Sequence, residues 1–338
     1  MMIEDTGIRF TTEQSAKATL TRFSWWRAYA WVTLILAVLC LFPPSAVSEP
    51  SSPSFRIGFS RASFGDVNEN DATASVRAWS QAIARDRDIR ADPQPKIFND
   101  VHEISEALAM KTVDCITMCT NEYVRVSEQL ANDRIVVGVM SDSIYEEFVL
   151  IVHRTSSIER LSDLRGRKMG LHMSRRTALA PLWLETLLAR EGLGPSAEFF
   201  GQIVSPIKIT KAVLPVFFRQ MDTCLVTRNG FDTMVELNPQ VGQELKTLAV
   251  SPAFVPVAFF FRSDYSSPLR AKIMGEITRW HINAAGRQIL TIFQVDRLEE
   301  HPLSCLESAI ELVTAHQRLS QETKKAAAGK TTGSAAGR

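Results

Sequence analysis

The strongest constraint on this chain's fold is an alternation of short apolar segments with amphipathic ones, in the order strand, helix, strand. Phe55-Arg-Ile-Gly-Phe59 alternates as a strand does, and residues 72–87 then read as a helix with Val76, Trp79 and Ile83 on one face. Residues 96–98 form a short strand. Asn99 and Asp100 can cap a helix that runs to Met110, and residues 113–118 are an apolar strand. Thr120-Asn121 opens a further helix, and residues 134–140 and 147–153 are strands. Central strands this apolar are buried on both faces, which predicts parallel sheets covered by helices.

The second half repeats the pattern. Residues 168–173 are a strand, 178–191 a helix ended by Gly192, and 197–204 an extended segment. Residues 211–219 are a helix interrupted by Pro215, 223–226 a strand, and 254–261 a long apolar one. Helices are expected over 268–293, with a break at Gly286, and over 302–319. Glu106-Ala-Leu-Ala-Met-Lys-Thr-Val-Asp114-Cys-Ile-Thr-Met and Leu214-Pro-Val-Phe-Phe-Arg-Gln-Met-Asp222-Thr-Cys-Leu-Val share a helix end, a polar step, an aspartate and a strand. That echo predicts two similar α/β lobes. Lobe 1 is expected to combine residues 49–150 and 255–320, and lobe 2 to be 151–254, with 147–153 and 254–261 as crossing strands.

The first 48 residues differ in kind. Arg22 and Arg27 precede an uncharged, mostly apolar run from Ala28 to Phe42, followed by Pro43-Pro44 and the small residues Ser45-Ala46-Val47-Ser48. This order is that of a secretory signal peptide cut between Ser48 and Glu49, with an uncleaved inner-membrane anchor as the competing reading. Leu39 before Cys40 does not suit lipidation. Either way the bulk of the chain is exported. Residues 321–338 are Lys/Ala/Gly/Thr-rich without an apolar period and read as a disordered tail.

Charge excludes one partner class. The chain has 38 Lys and Arg against 37 Asp and Glu, and 34 of each sign follow Ser48, so no basic excess recruits nucleic acid. Cys115, Cys119, Cys224 and Cys305 have no framework spacing and read as buried thiols, with one long-range disulfide left open.

Three strand-to-helix junctions can bind an anion. The first is Gly170-Leu-His-Met-Ser174-Arg175-Arg176-Thr177, a strand running into hydroxyl groups and arginines. Backbone N–H groups at such a junction attract anions, and arginine grips phosphate or carboxylate bidentately. Ser60-Arg-Ala-Ser63 and Thr117-Met-Cys-Thr120-Asn121 are the others, and Tyr123 can wall the same site. All three lie at carboxyl ends of strands, where open α/β folds hold ligands. Asp222 reads either as a turn residue or as a polar acceptor at the cleft. No nucleophile elbow, phosphate-binding loop or zinc pattern occurs, and His102, His153, His172, His281, His301 and His316 fit no catalytic spacing. No cofactor, metal or catalytic residue is therefore expected.

From about Phe55 to Ile273 the chain resembles the periplasmic substrate-binding proteins of phosphate, phosphite and phosphonate ABC transporters. The pieces that carry the resemblance are Arg56-Ile-Gly-Phe, Phe98-Asn-Asp, Thr112-Val-Asp-Cys-Ile, Thr120-Asn-Glu-Tyr, Leu161-Ser-Asp-Leu-Arg-Gly-Arg-Lys-Met-Gly, Ser174-Arg-Arg-Thr-Ala with Pro181, and Gln220-Met-Asp-Thr-Cys-Leu-Val. The resemblance implies a two-lobed type II periplasmic binding fold, monomeric, in which each lobe is a mainly parallel sheet flanked by helices. It implies capture of a small oxyanion and delivery to an ABC permease. Carried over, the oxyanion loop falls on Ser174, Arg175, Arg176 and Thr177. First-lobe contacts fall near Ser60 and on Thr120, Asn121 and Tyr123, with an acidic second-lobe contact on Asp222. The loop departs from the family, because two arginines replace hydroxyl residues and Ala178-Leu179 replaces a glycine and an aromatic. The usual histidine position reads Ile209, beside Lys208 and Lys211. The alternatives are a sensing module for a membrane kinase or cyclase and, last, an enzyme on the same fold.

Overall fold

The computed structural model describes residues 54–64, 68–87, 89–92, 94–266 and 268–334. The segment read as a signal peptide or anchor lies outside the described residues. No helix among those described is long and apolar enough to cross a membrane.

Two sheets organise the chain. Lobe 1 contains β1 (Ile57–Ser60), β2 (Lys96–Phe98), β3 (Cys115–Cys119) and β4 (Arg134–Val139), with β10 (Val257–Phe261) and β11 (Arg297–Pro302) returning to it. Its strand order is β11-β4-β10-β3-β1-β2. Lobe 2 contains β5 (Phe148–His153), β6 (Lys168–Leu171), β7 (Gln202–Val204), β8 (Thr223–Thr227) and β9 (Leu245–Val250), in the order β7-β6-β8-β5-β9. In each sheet a parallel trio, β2-β1-β3 or β7-β6-β8, is continued by an antiparallel strand, β10 or β5.

Helices cover both faces of each sheet. In lobe 1, α1 (Glu69–Arg87), α9 (Pro268–Ile277) and α10 (Ala284–Ile292) enclose one core layer with Phe55, Ile57, Phe59, Trp79 and Phe261. On the opposite face, α2 (Val101–Ala109) and α3 (Thr120–Val126) pack Ile104, Leu108 and Tyr123 against Ile116, Met118 and Phe260. Lobe 2 uses α4 (Ala180–Arg190) on one face, with the short α5 (Ser196–Phe199) beside it. On the other face lie α6 (Ile209–Phe217), α7 (Arg228–Leu237) and α8 (Pro239–Glu244). Strand alternation therefore sends each strand's residues into two layers, which is why β5 is buried at all six positions.

The sequence echo is a structural repeat. Lys111 and Arg219 both take positive φ (55° and 61°) just past α2 and α6. The same pair of helix-closing bonds follows each helix. Lys111 N–H donates to Leu108 O and Thr112 N–H to Ala107 O, while Arg219 N–H donates to Val216 O and Gln220 N–H to Pro215 O. This is the Schellman stop, here without glycine. Three residues on, Asp114 and Asp222 clasp the neighbouring strand in the same way. Each donates its N–H to the carbonyl of Arg56 or Lys168 and accepts that residue's N–H on its carboxylate, at 2.9 and 2.8 Å.

Several elements differ from expectation. The crossing segments are not residues 147–153 and 254–261 as whole strands, since β5 lies in the second sheet and β10 in the first. The crossing itself is the pair Glu146 and Phe254, joined by two backbone bonds of 2.8 and 2.9 Å. α10 begins after Asn283 and not at Gly286, because Asn283 Oδ1 accepts the Gly286 N–H at 2.7 Å and caps the helix. Residues 197–204 open as α5 before β7. β9 and β11 were not anticipated, because both are half-polar strands at sheet edges, where charge protects against pairing. α11 (Glu307–Ser334) runs through most of the stretch read as a disordered tail, where alanine and lysine favour helix over coil. Its Ala309, Leu312 and Val313 join a lobe 2 core layer and Ile310 a lobe 1 layer, so α11 straddles both lobes instead of belonging to the first.

Candidate functional site

The loop of residues 174–177 follows β6 and reaches lobe 1, where Arg175 meets Phe293 and borders the same space as Phe59 of β1 and Thr117 of β3. β6 ends at Leu171, after which His172 holds the loop down through its N–H to Leu225 O (3.0 Å) and through Nε2 to Ile207 O (2.9 Å). Thr177 Oγ1 is fully enclosed in the loop. It accepts the Ser174 N–H at 2.8 Å and reaches His172 O at 2.8 Å. Its hydroxyl is therefore engaged within the turn. Ser174 is half-buried, with Oγ 3.3 Å from Thr177 Oγ1.

The two arginines leave the loop in different directions. Arg176 donates to the Glu146 carboxylate and to Met140 Sδ, joining lobe 2 to the crossing. Both partners are well buried, with side-chain exposures of 19% and 9%. Burial raises the Glu146 carboxyl above its ordinary pKa, and the charges of Arg176 and then Arg175 oppose that rise. Arg175 is also buried, and its guanidinium lies 5.6 Å from the centre of the Phe293 ring, a cation–π contact with lobe 1.

On the lobe 1 side, most of the expected residues are engaged with protein partners. Ser60 Oγ donates to the Glu122 carboxylate, 2.7 and 2.6 Å from its two oxygens, and Cys119 N–H donates to the same group at 2.9 Å. Thr120 Oγ1 donates to Val255 O at 2.5 Å and ties α3 to the crossing segment. Tyr123 stacks on Phe260 with centroids 4.6 Å apart, and burial raises its hydroxyl pKa. Asn121 Oδ1 is buried, and no hydrogen bond reaches it among the described residues.

Asp222 is not brought to this site. It precedes β8 and binds Lys168 N–H at the amino ends of the parallel strands, with Arg167 3.6 Å away. The five residues of β8 separate it from the cleft by roughly 15 Å at about 3.3 Å per residue. The echo with Asp114 gives its place: an aspartate in this position is a strand clasp in both lobes.

Residues that sequence reasoning missed include Glu122, Glu146, Arg228 and Phe293. Glu122 stands at the third position of α3, the place of a capping-box carboxylate, and this spacing was a legible signal. Glu146 and Glu147 stand side by side before the wholly apolar β5, and Glu147 pairs with Arg228 at the start of α7. Nothing in local sequence links Phe293 to Arg175, because that contact crosses between lobes. Among the described residues, no cluster of His, Cys, Asp and Glu is arranged to hold a metal ion.

Comparison with known proteins adds a family. The model for the periplasmic substrate-binding protein of phosphonate ABC transporters matches residues 68–302, well over half of the chain. Among curated proteins, no sequence matches. Among solved structures, XAC2383 from Xanthomonas citri bound to ATP superposes with a TM-score of 0.58 at 13% identity, covering 80% of this chain and 99% of that one. PhnD1 from Prochlorococcus marinus in complex with methylphosphonate gives a TM-score of 0.52 at 14% identity, covering 77% of this chain and 97% of that one. At these identities the two structures bear on the fold.

Proposed function

We propose that this chain, which belongs to the periplasmic substrate-binding family of phosphonate ABC transporters, captures a small oxyanion between its lobes and presents it to an importer. The family itself comprises exported transporter components that take a small ligand and a permease as partners. The observation that carries the ligand class is the pair Arg175 and Arg176, side by side on the lobe 2 loop, one against lobe 1 and one on the crossing carboxylate.

Two guanidinium groups and one carboxylate, Glu146, make an exchangeable arrangement. An entering oxyanion competes with Glu146 for the arginines and offers them more oxygen acceptors. Contacts from lobe 2 are made at the same time as contacts with lobe 1 only when the cleft is shut, so the ligand favours the closed state by its differential affinity. Arginine takes the place that hydroxyl groups hold elsewhere in the family, because Thr177 is committed to the turn. The reading assigns no chemistry on the bound ligand.

A thermal-shift series with phosphate, phosphite, methylphosphonate, sulfate and acetate tests it. Binding to the native state raises Tm, equivalent to about 2.7 kcal/mol at 100 times Kd. A rise with a phosphorus oxyanion that Arg175→Ala removes is the expected result. No rise with any oxyanion refutes the reading.

A further inference from the structure

Glu146 cannot follow its partner out of the crossing. Its N–H and its carbonyl are both bonded to the backbone of Phe254, and β5, buried at all six positions, begins two residues on. The carboxylate is thus fixed in a poorly hydrated place, where Arg176 donates to it. Around the pair stand the apolar side chains of Met140, Ile144, Val257 and Val295, and the uncharged polar ones of Ser143 and Gln294. The Ser143 hydroxyl is engaged with the backbone of Tyr145, at 3.2 and 3.0 Å.

Other charged groups near the crossing have partners of their own. Glu147 pairs with Arg228 and Asp142 with Arg297, while Asp296 accepts the Ser141 N–H at 2.8 Å. Across in lobe 1, Glu122 accepts from Ser60 and Cys119, and on the lobe 2 loop His172 reaches Ile207 O through Nε2. The charges that act on Glu146 are those of Arg176 and then Arg175, and they restrain the rise in its pKa that burial causes.

An oxyanion lying on these arginines removes that restraint and adds a negative charge beside the carboxylate. A buried carboxylate without its counter-charge is costly to keep ionised, and such a group takes up a proton instead. We infer that the cleft takes its oxyanion together with one proton, which passes from solvent to the Glu146 carboxylate as Arg176 turns to the ligand. The inference rests on the oxyanion reading for the ligand and adds the proton to it. Arg176 and the ligand keep their charges, and the neutral acid gains an O–H that it can donate to the bound anion, so a repelling group becomes a donor.

The sign of the pH dependence is fixed by the geometry. A group that holds its proton more tightly in the complex than in the free protein gives full affinity below its free-state pKa, and that affinity is lost as pH rises through its bound-state pKa. Titration calorimetry on the full chain tests this with sulfate and methanesulfonate, whose charges do not change between about pH 5 and pH 8. Should neither bind, methylphosphonate takes their place with its own ionisation subtracted. Binding enthalpies in buffers of different ionisation enthalpy should show uptake approaching one proton per anion, with Kd rising by up to about tenfold per pH unit between the two pKa values. Glu146→Gln should bind without proton uptake and with a Kd that is flat over the same range. Uptake that persists in Glu146→Gln puts the proton on another group, such as His172, and overturns the inference. If that variant does not fold, infrared difference spectra of the unaltered protein decide: a neutral carboxylic acid band that appears with the anion and moves on carbon-13 labelling of glutamate supports the inference, and its absence refutes it. Anion binding without proton uptake overturns the inference and leaves the oxyanion reading intact. No binding of any of the three anions overturns the oxyanion reading and, with it, the inference.

Discussion

Removing Arg176 while keeping Glu146 should destabilise the protein in a pH-dependent way. Their side chains are 19% and 9% exposed, so water screens the pair weakly, and Arg176→Met leaves the Glu146 carboxylate buried without its main counter-charge. Breaking a buried pair from one side costs about 3 kcal/mol or more, whereas replacing both partners with apolar groups costs much less. Burial already raises the folded-state pKa of Glu146 above the ordinary 4.5, and Arg176 is the principal group opposing that rise. A raised carboxylate binds its proton more tightly in the native state than in the unfolded one. Its stabilising protonation is complete below the unfolded pKa and is lost as pH rises through the folded pKa. Arg176→Met widens the gap between the two pKa values. Its deficit against the parent is therefore small at pH 4 and grows towards pH 7.

Urea unfolding at both pH values reads this directly. At pH 7 the midpoint of Arg176→Met should fall by about 1 M for a slope of roughly 3 kcal/mol/M. The double variant Glu146→Leu/Arg176→Met should recover most of the loss. A deficit that is the same at pH 4 and pH 7, or a double variant as unstable as the sum of the single ones, refutes the buried-pair reasoning.

Four further outcomes follow from the site and its supports. Asp222→Ala should lower stability by about 1 kcal/mol, as expected for a half-exposed clasp, and leave oxyanion affinity within twofold in calorimetry. Asp114→Ala should cost about 3 kcal/mol in the same urea assay, because Asp114 is buried between Arg56 and Arg262 and its loss leaves the nearly buried Arg262 with the half-exposed Asp264 as its remaining carboxylate. Thr177→Val should cost about 2 kcal/mol and weaken oxyanion binding by distorting the turn, while Ser174→Ala changes either by less than a third as much. In thiol labelling of the folded protein, Cys305 should react first. Its pKa is pushed up to about 11 by partial burial, whereas complete burial raises Cys115, Cys119 and Cys224 further and leaves them to react only on unfolding.

What was legible in the sequence, and what was not, divides along physical lines. Strands buried on both faces declare themselves by composition alone, so β1, β3, β5, β6, β8 and β10 were all foreseen. β9 and β11 were not, because an edge strand carrying Lys246, Glu299 and Glu300 has the composition of a loop and becomes a strand only by pairing with β5 and β4. The oxyanion loop was visible as a run of residues at a strand end. The destinations of its arginines were not, since Glu146 lies 30 positions and Phe293 more than 100 positions from them in the chain.

The repeat shows why a local pattern can be read correctly and still be given the wrong task. Asp114 and Asp222 occupy the same step in two copies of one unit: a helix, a left-handed residue at Lys111 or Arg219, and a parallel strand. A role in the fold must be met in both copies, whereas a role in the cleft can differ between them. Of the positions that match, Gly58 with Gly170 and Asp114 with Asp222, the aspartates hold strands together. The positions that differ lie where the strands end. Ser60 stands in lobe 1 where His172 stands in lobe 2, and Glu122, the group that receives Ser60, corresponds to Gly230 in α7. Arg175 has Ser63 as its counterpart in the loop after β1. Divergence between the copies therefore marks the carboxyl ends of the strands as the surface free to specialise, and in lobe 2 that specialisation is the pair of arginines.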